Sequence, residues 1–378
     1  MQEVGNNRLN IVPQRLREAR IACGKTIKEV SKNIGVSAQV LSMYELGRCN
    51  LSAEVFYRLK NQYDLPIKYY SKPYTDEINR SQTFFRSFSS LNKSKREIAF
   101  IQSEWFVKEI FGFFREKIKF PPVDDLFLKI KRSHNVDKKE KRHIELLAKI
   151  IRREWGLGLE PICNLTRILE KKGIIIVKMD LDDVIDGFSF WSENRPFIFV
   201  NSNNNAFRLR MSIAHELCHL FFHEAEEVEK NLKDIESEAK HFASAFLMPD
   251  SSFAKDIYST SLEQLLYLKP KWMVSVQAMV MRCGQLDLIS EDRMLYLQKQ
   301  MSRKRWRKNE PGDNDCDPEA PVLLTQAIEL LVERKILSKN KLLDAITLNN
   351  EFIEDVCSLP LGYLSQEDNI VSLNFQRG

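Results

Sequence analysis

The sequence predicts a mainly α protein in which one small β-sheet interrupts a long series of helices, an α+β arrangement at its centre. From Pro13 to Tyr70, apolar residues recur at helical spacing in short segments that glycines separate. Only two runs, GIIIVKM from Gly173 and FIFVN after Pro196, have the β-branched and aromatic composition of strands. Helical spacing returns at Phe207 and continues through most of the remaining chain.

The composition is that of a folded protein without a membrane-spanning segment. Of the 378 residues, 43% are apolar and 29% are charged, and the length allows two or three domains. No apolar run approaches the roughly 18 residues that a membrane helix needs, and the N-terminus lacks the apolar core of a secretory signal. Seven dispersed cysteines without a C-x-x-C pair indicate free thiols in a reducing compartment. We therefore expect a cytoplasmic protein.

Changes in pattern and composition divide the chain into six predicted segments. These are a helical N-terminal domain at 1–75, a helical connecting region at 76–150, an α+β core at 151–255, a helical subdomain at 256–302, a linker at 303–320 and a helical C-terminal segment at 321–378. The linker is predicted because its sequence begins basic and then becomes acidic and rich in proline and glycine.

The N-terminal segment has the start and stop signals of four short helices. Thr26 can cap the second helix, which Gly35 ends, and Ser37 can cap the third, SAQVLSMYEL, which Gly47 ends. A tight turn bounded by glycine between the second and third helices is typical of a helix-turn-helix unit.

The stretch from Leu16 to Tyr63 resembles the XRE (Cro/lambda-repressor-like) helix-turn-helix family. The resemblance rests on TIKEVSKNIGVS and on QVLSMYELG with Leu41, Tyr44, Glu45 and Gly47 in place. It implies that the third helix enters the major groove of double-stranded DNA. It also implies base-edge contacts for Ala38, Gln39, Ser42 and Met43, and a phosphate contact for Arg48.

The positive charge of this domain supports a polyanionic partner. Two of its residues, however, depart from the family pattern. Residues 1–75 contain 12 Lys/Arg against 6 Asp/Glu, so the positive balance of the whole chain is concentrated there. Ile27 stands where the family usually has Gln, and Met43 stands where it often has Arg, Lys or Gln. Both weaken the expected polar contacts. The alternative is a helix-turn-helix fold used only for dimerisation or protein contact.

Residues 212–224 read SIAHELCHLFFHE and contain the pattern H-E-x-x-H. Positions i and i+4 share one helix face, so His215 and His219 can converge on one metal ion, and Glu216 can serve as general base toward a water molecule. The five-residue pattern alone also arises by chance. A catalytic site needs a third protein ligand, and the downstream helix offers Glu236 and Glu238.

The region from about Glu154 to Glu310 resembles the ImmA/IrrE-type metallopeptidases. The motifs that carry the resemblance are EWGLG, GIIIV, DGFS, PFIFVN, SIAHELCHLFFH, the FLMP helix with its two glutamates, LKPKWMVSVQAMVMR and WRKNEP. The resemblance implies Zn²⁺ held by His215, His219 and Glu236, with Glu238 as the alternative third ligand. It assigns Glu216 as the catalytic base.

Several residues around this pattern remain open in role. Lys240 stands where the family commonly has Asn or Asp, which removes an expected partner of a ligand histidine. His223, His241 and Arg210 are candidate oxyanion donors, although His223 is more simply a histidine at a helix end. Cys218 is expected to be a small buried spacer.

Downstream, KWMVSVQAMVMRCGQLDLIS resembles a second helix-turn-helix-like unit, in which Trp272 and Arg282 would brace the peptidase.

Together the resemblances imply an all-α helix-turn-helix domain followed by a zincin-like metallopeptidase domain with a small β-sheet and additional C-terminal helices. They lead to two hypotheses. In the first, a DNA-binding transcriptional regulator carries a zinc-dependent endopeptidase that cleaves a repressor, a toxin or other partner protein, or itself, in a stress, phage-related or toxin–antitoxin response. In the second, the regulator or antitoxin is not proteolytic, and its peptidase-like domain binds a partner or senses a ligand. No membrane partner is expected, and a homodimer is one option.

Overall fold

The computed structural model describes residues 10–74, 93–133, 141–223 and 232–365, and it confirms the mainly α class with one small sheet. Contacts divide the chain into two compact units. Of the described residues, the first unit comprises 10–74, 93–119 and 324–365, and the second comprises 120–133, 141–223 and 232–323. Residues 76–92 and 134–140 of the predicted connecting region lie outside the described residues.

The helices are numbered in chain order. The N-terminal series is α1 (Pro13–Ala22), α2 (Ile27–Ile34), α3 (Ala38–Glu45), α4 (Ala53–Tyr63), α5 (Ile67–Ser71), α6 (Lys93–Trp105), a π-helical turn (Phe106–Phe111) and α7 (Gly112–Arg115). The middle series is α8 (Leu126–Ser133), α9 (Lys141–Glu154), α10 (Leu165–Lys171), α11 (Ala206–Phe222), α12 (Leu232–Leu247), α13 (Asp250–Asp256), α14 (Leu262–Trp272), α15 (Val276–Gln285) and α16 (Glu291–Arg303). The last are α17 (Leu323–Glu333), α18 (Lys339–Ala345) and α19 (Asn350–Val356).

Side-chain caps and a left-handed glycine form the turn between α2 and α3. The Thr26 side chain accepts a hydrogen bond from the backbone N–H of Glu29, and that of Ser37 accepts one from Val40. Between them Gly35 ends α2 with φ of 73°, a conformation that glycine adopts without strain. Local sequence signals thus produce the compact turn that sets α3 against α2.

A buried ion pair and an apolar core hold these helices together. Arg20 on α1 donates to both carboxylate oxygens of Glu45 on α3, at 2.6 and 2.9 Å. Because the pair is bidentate, it fixes the orientation of α3 as well as its position. The apolar core around it includes Leu16, Ala19, Val30, Ile34, Leu41, Phe56 and Leu59.

Two later parts of the chain complete the first unit. Gln102 on α6 donates to the backbone carbonyl of Ala22 at 3.0 Å. The Trp105 ring meets Tyr69 edge-on, with centroids 5.5 Å apart, and Phe352 of α19 at 5.7 Å. The C-terminal helices therefore pack with the N-terminal ones, a long-range arrangement that no sequence pattern signalled.

The sheet lies in the second unit and has three strands rather than the two that the sequence predicts. Its strands are β1 (Ile175–Met179), β2 (Gly187–Ser192) and β3 (Arg195–Asn201), in the order β1-β3-β2. β1 pairs with β3 in parallel and β2 pairs with β3 in antiparallel fashion. β2 therefore lies at an edge, and it comes from the DGFS motif.

A two-residue turn joins β2 to β3. Glu193 and Asn194 both have positive φ, at 47° and 61°, as a type I′ turn requires. The usual signal for this turn is Asn or Asp followed by Gly. Because Glu-Asn has no glycine, the hairpin was not evident from the sequence.

Helix α11 lies against β2 and β3 on one side and against α12 on another. Leu209, Ile213 and Leu217, at the predicted helical spacing, are fully buried. No described helix combines the length and apolar character that crossing a bilayer would demand.

The pair α14 and α15 has the same turn chemistry as α2 and α3. Met273 ends α14 in the left-handed region with φ of 52°, Val274 is buried, and the Ser275 side chain accepts from the backbone N–H of Ala278. The order of left-handed residue, valine and capping serine repeats that of 35–37. The turn between α14 and α15 therefore has the same local construction as the turn between α2 and α3.

The predicted linker contributes buried charges to the second unit. The Glu310 carboxylate accepts from the backbone N–H groups of Val276 and Gln277, at 2.7 and 2.9 Å, at the start of α15. Lys269 pairs with Glu310 at 3.2 Å and with Asp313 at 2.5 Å. These contacts pair one ammonium with two carboxylates, and they satisfy backbone amides at a helix N-terminus.

Candidate metal centre

A single helix, α11, carries the HELCH pattern. Asn205 caps it, since its side chain accepts from the backbone N–H of Arg208. The helix then continues without glycine or proline to Phe222. His215 and His219 consequently lie one turn apart on one face, with their Nε2 atoms 3.1 Å from each other. Local helix geometry alone brings these two imidazole nitrogens together.

Helix α12 adds a carboxylate to the pair. Glu236 Oε2 lies 3.2 Å from His215 Nε2, and Glu236 Oε1 lies 3.5 Å from His219 Nε2. Oε1 is buried and makes no hydrogen bond within the described residues. A buried carboxylate oxygen without a donor is costly, and a cation between the three side chains would satisfy it.

The three side chains fit Zn²⁺. Two imidazole nitrogens and one carboxylate oxygen are the ligand set of many catalytic zinc sites, which leave a position open for water or substrate. The centre is open on one side, since the His215 and Glu236 side chains keep 16% and 26% of their surface exposed while His219 keeps 3%.

Glu216 is held beside this group by the edge strand. Ser189 of β2 donates its hydroxyl to Glu216 Oε2 at 2.8 Å. Glu216 is buried, and its carboxylate lies within 4.8 Å of the nearer ring nitrogens of His215 and His219. The hydrogen bond fixes the carboxylate orientation, so Ser189 is a functional candidate that was not singled out from the sequence.

Steric crowding explains why the DGFS motif has glycine at position 187. A Cβ at Gly187 would lie 2.8 Å from the backbone oxygen of Phe199 and 3.6 Å from Glu216 Cγ. Only glycine allows β2 to approach β3 this closely beside the Glu216 side chain. The motif thus supplies both a close backbone approach and the hydroxyl that holds Glu216.

Acidic neighbours set the electrostatics of the first histidine. Burial lowers the pKa of His215, but the hydrogen bond to Glu236 and the charges of Glu216 and Glu236 outweigh that effect. The net result is a pKa of His215 above its ordinary value, with Lys240 opposing it. The centre is therefore a negative environment that favours cations.

His223 and Glu238 form a second layer behind His219. His219 Nδ1 lies 2.8 Å from His223 Nδ1, and His223 Nε2 lies 3.2 Å from Glu238 Oε2. His223 ends α11, as expected, but its ring is buried. Glu238, the alternative ligand from the sequence, thus faces His223, whereas Glu236 faces His215 and His219. Positions i and i+2 of a helix point in different directions, which explains the division.

The other candidate donors have partners elsewhere. Arg210 donates to the backbone oxygen of Ile162 at 2.7 Å and pairs with Glu319. His241 lies 2.8 Å from Glu145. The structure therefore gives Arg210 and His241 structural roles.

Three further residues that the sequence singled out are buried, namely Cys218, Trp272 and Arg282. Burial raises the pKa of the Cys218 thiol well above its ordinary value, and the charges of Glu238 and Glu216 act in the same direction. Trp272 donates to Asp256 at 2.9 Å, and Arg282 donates to the backbone oxygen of Met248 at 2.9 Å. These contacts brace the helices around the centre.

The predicted DNA-contacting residues lie on the outer side of α3. Ala38 and Gln39 are exposed, Ser42 and Met43 are half-buried, and Arg48 just beyond the helix is exposed. The structure thus leaves all five accessible, in contrast to the buried residues Leu41 and Glu45 of the same helix.

Comparison with protein families agrees with both parts of this description. Residues 169–283 match the peptidase M78 family, described as an IrrE N-terminal-like domain, and residues 14–74 match a helix-turn-helix domain family. The first match contains the three strands, α11 and α12, and the second contains α2 to α5 and all of α1 except its first residue. A comparison with curated proteins found no match. The chain therefore joins a helix-turn-helix domain of the XRE-like type to an IrrE N-terminal-like domain of the peptidase M78 family.

Proposed function

We propose that this protein is a DNA-binding transcriptional regulator whose second unit is a zinc-dependent endopeptidase. The observation that carries the proposal is the convergence of His215, His219 and Glu236, with Glu236 Oε1 buried and lacking a hydrogen bond within the described residues. Glu216 lies beside this group in a fixed orientation. A domain that only bound a partner would have no need of such a carboxylate.

The residues of the chain have separate roles in this proposal. His215, His219 and Glu236 would hold Zn²⁺, which as a Lewis acid activates water and polarises a peptide carbonyl. Glu216 would accept the proton of the attacking water and deliver it to the leaving amine. Ser189 keeps the Glu216 carboxylate turned in one direction through its hydrogen bond to Oε2.

The first unit would bind double-stranded DNA through α3. Gln39, Ser42 and Met43 would face base edges together with Ala38, and Arg48 would contact a phosphate. The accessible placement of these five side chains supports this assignment. A DNA target implies action in the cytoplasm of the cell. The substrate class that suits a peptidase delivered to an operator is a repressor, a toxin or other partner protein, or the chain itself.

The test compares wild type with Glu216→Gln in cells and in solution. Proteins that become depleted only with wild type are substrate candidates, and purified wild type should cut them in a reaction that a zinc chelator stops. Glu263→Gln, the same change on the exposed surface of α14, is the matched control and should behave as wild type. If Glu216→Gln retains zinc and the complete cellular function, the non-proteolytic alternative is correct.

A further inference from the structure

A chain of three side chains, two of them buried, extends away from the centre within the second unit. It begins at His219, passes through His223 at 2.8 Å between the two Nδ1 atoms, and ends at Glu238 at 3.2 Å from His223 Nε2. The His219 and His223 side chains are 3% and 1% exposed, and Glu238 is 20% exposed. Water therefore has little access to the contact between the two histidine rings.

The chemistry of Glu238 sets the direction of the hydrogen bonds. An ionised carboxylate can only accept, so His223 must present a protonated Nε2 toward it. A neutral imidazole carries one proton, and His223 Nδ1 is then an acceptor. His219 must accordingly donate from Nδ1, which leaves the lone pair of His219 on Nε2. That atom is the one that faces His215 and Glu236.

The opposite arrangement is unfavourable at both ends. If His223 donated from Nδ1, its unprotonated Nε2 would face the Glu238 carboxylate, and two lone pairs would oppose each other. His219 would then carry its proton on Nε2, where a metal ligand needs a lone pair. Glu238 thus selects one tautomer of His223, and His223 selects the tautomer of His219.

We propose that His223 and Glu238 are positioning residues that hold His219 in the tautomer and ring orientation required of a metal ligand. The inference rests on the zinc site of the proposed function and assigns no ligand role to either residue. Lys240, where the family commonly has Asn or Asp, is exposed, and support for a ligand histidine comes instead from His223 at the end of α11 and from Glu238.

The test measures zinc affinity of the full chain by competition with a chelator. We expect His223→Ala and Glu238→Ala each to weaken zinc binding about 10- to 100-fold, the usual range for losing a partner of a ligand histidine. Because the two residues act in series, the double variant should be no more than about threefold weaker than His223→Ala. Glu238→Gln keeps an acceptor oxygen and should lose less affinity than Glu238→Ala.

Controls separate this role from packing and from the zinc site itself. Asp234→Ala removes an exposed carboxylate one turn earlier on α12 and should leave zinc affinity unchanged. Unfolding of the zinc-free variants reports any general loss of stability. The serial arrangement would be wrong if both single variants bound zinc as tightly as wild type, or if their losses of affinity multiplied in the double variant. Either result would leave the zinc site itself unaffected. Absence of zinc binding by wild type would instead reject the proposed site.

Discussion

The surface of α3 and the centre between α11 and α12 differ in how their side chains are held. Within the described residues, Gln39, Ser42 and Arg48 make no side-chain hydrogen bond, and all three reach the surface. At the centre, by contrast, Glu216 is bonded to Ser189 and His219 is bonded to His223. A surface that reads DNA can adapt to its partner, whereas a centre that binds a metal and moves protons has to be preorganised.

This difference makes the two regions respond differently to single substitutions. At the centre, one change removes a member of a connected group, and large losses follow. On α3, each proposed contact with DNA would act nearly alone, and one change would give a modest loss of DNA affinity.

The largest effect, on zinc content, is expected for His215→Ala. Purified wild type should contain about one zinc per chain, and the variant should contain almost none, because two of three protein ligands do not hold the ion firmly. Elemental analysis of the full chain gives the result. His143→Ala, which removes another histidine of the same unit, should keep its zinc, and equal zinc content in both variants would exclude the proposed centre.

Ser189→Ala should lower peptidase activity by about 10- to 100-fold, which corresponds to losing one hydrogen bond to a charged group. The reason is that Glu216 loses the donor that fixes its carboxylate at 2.8 Å. Zinc content should not change, since Ser189 contacts no proposed ligand in the described contacts. Ser192→Ala on the same strand serves as the control. Loss of zinc in Ser189→Ala would mean that the serine supports the whole centre rather than Glu216.

Features of the two regions could be predicted from the sequence where they depend on residues close together in the chain. The spacing of His215 and His219 on one helix was evident from the sequence, because helix periodicity alone brings them together. The turn before α3 was equally evident, because Thr26 and Ser37 cap their helices through contacts three residues away. The features that could not be predicted from the sequence depend on contacts between separate helices and strands. Ser189 is such a case, since its strand ends at a turn that lacks the usual glycine signal, and its hydroxyl meets Glu216 only in the folded unit.

The two glutamates of α12 illustrate the same limit. From the residues alone, Glu236 and Glu238 were both candidates for the third ligand. The structure separates them, because one faces the histidine pair and the other faces His223. Which direction each side chain takes depends on the rotation of α12 against α11, and this rotation is a property of the packed core.

An intermediate effect, on folding stability, is expected for the ionic cluster of Glu145 on α9, His241 on α12 and Arg282 on α15. Burial opposes ionisation of Glu145, but hydrogen bonds from His241 and Arg282 outweigh it and lower the pKa of Glu145 to about 2. Glu145→Gln should therefore reduce the free energy of unfolding by about 2 kcal/mol at pH 7. The measurement is urea unfolding of the full chain followed at several pH values.

The sign of the pH dependence follows from the lowered pKa. The ionised Glu145 stabilises the fold above its ordinary pKa of 4.5, and the contribution is lost as the pH falls toward about 2. The difference between wild type and Glu145→Gln should consequently narrow below about pH 4.5. A difference that stays constant from pH 7 to pH 3 would show that the cluster acts through packing alone.

The smallest effect is expected for Arg48→Ala, at the proposed DNA-binding surface of the first unit. If Arg48 contacts a phosphate, its loss should weaken DNA binding a few-fold at moderate salt, equally for all sequences. The slope of log K against log salt should fall by about 1, because one fewer counterion is released. Fluorescence anisotropy with double-stranded DNA at four salt concentrations measures both quantities.

Arg17→Ala is the matched control, because it removes an exposed arginine of α1 that pairs with Glu97 at 3.3 Å. It should leave the salt slope unchanged. Gln39→Ala sharpens the comparison further: a base-edge contact predicts a loss that depends on DNA sequence and leaves the salt slope as in wild type. If Arg48→Ala and Gln39→Ala both leave affinity and slope unaltered, α3 does not read DNA. The helix-turn-helix domain would then serve protein contact. The adaptable surface of α3 would in that case bind a protein rather than DNA.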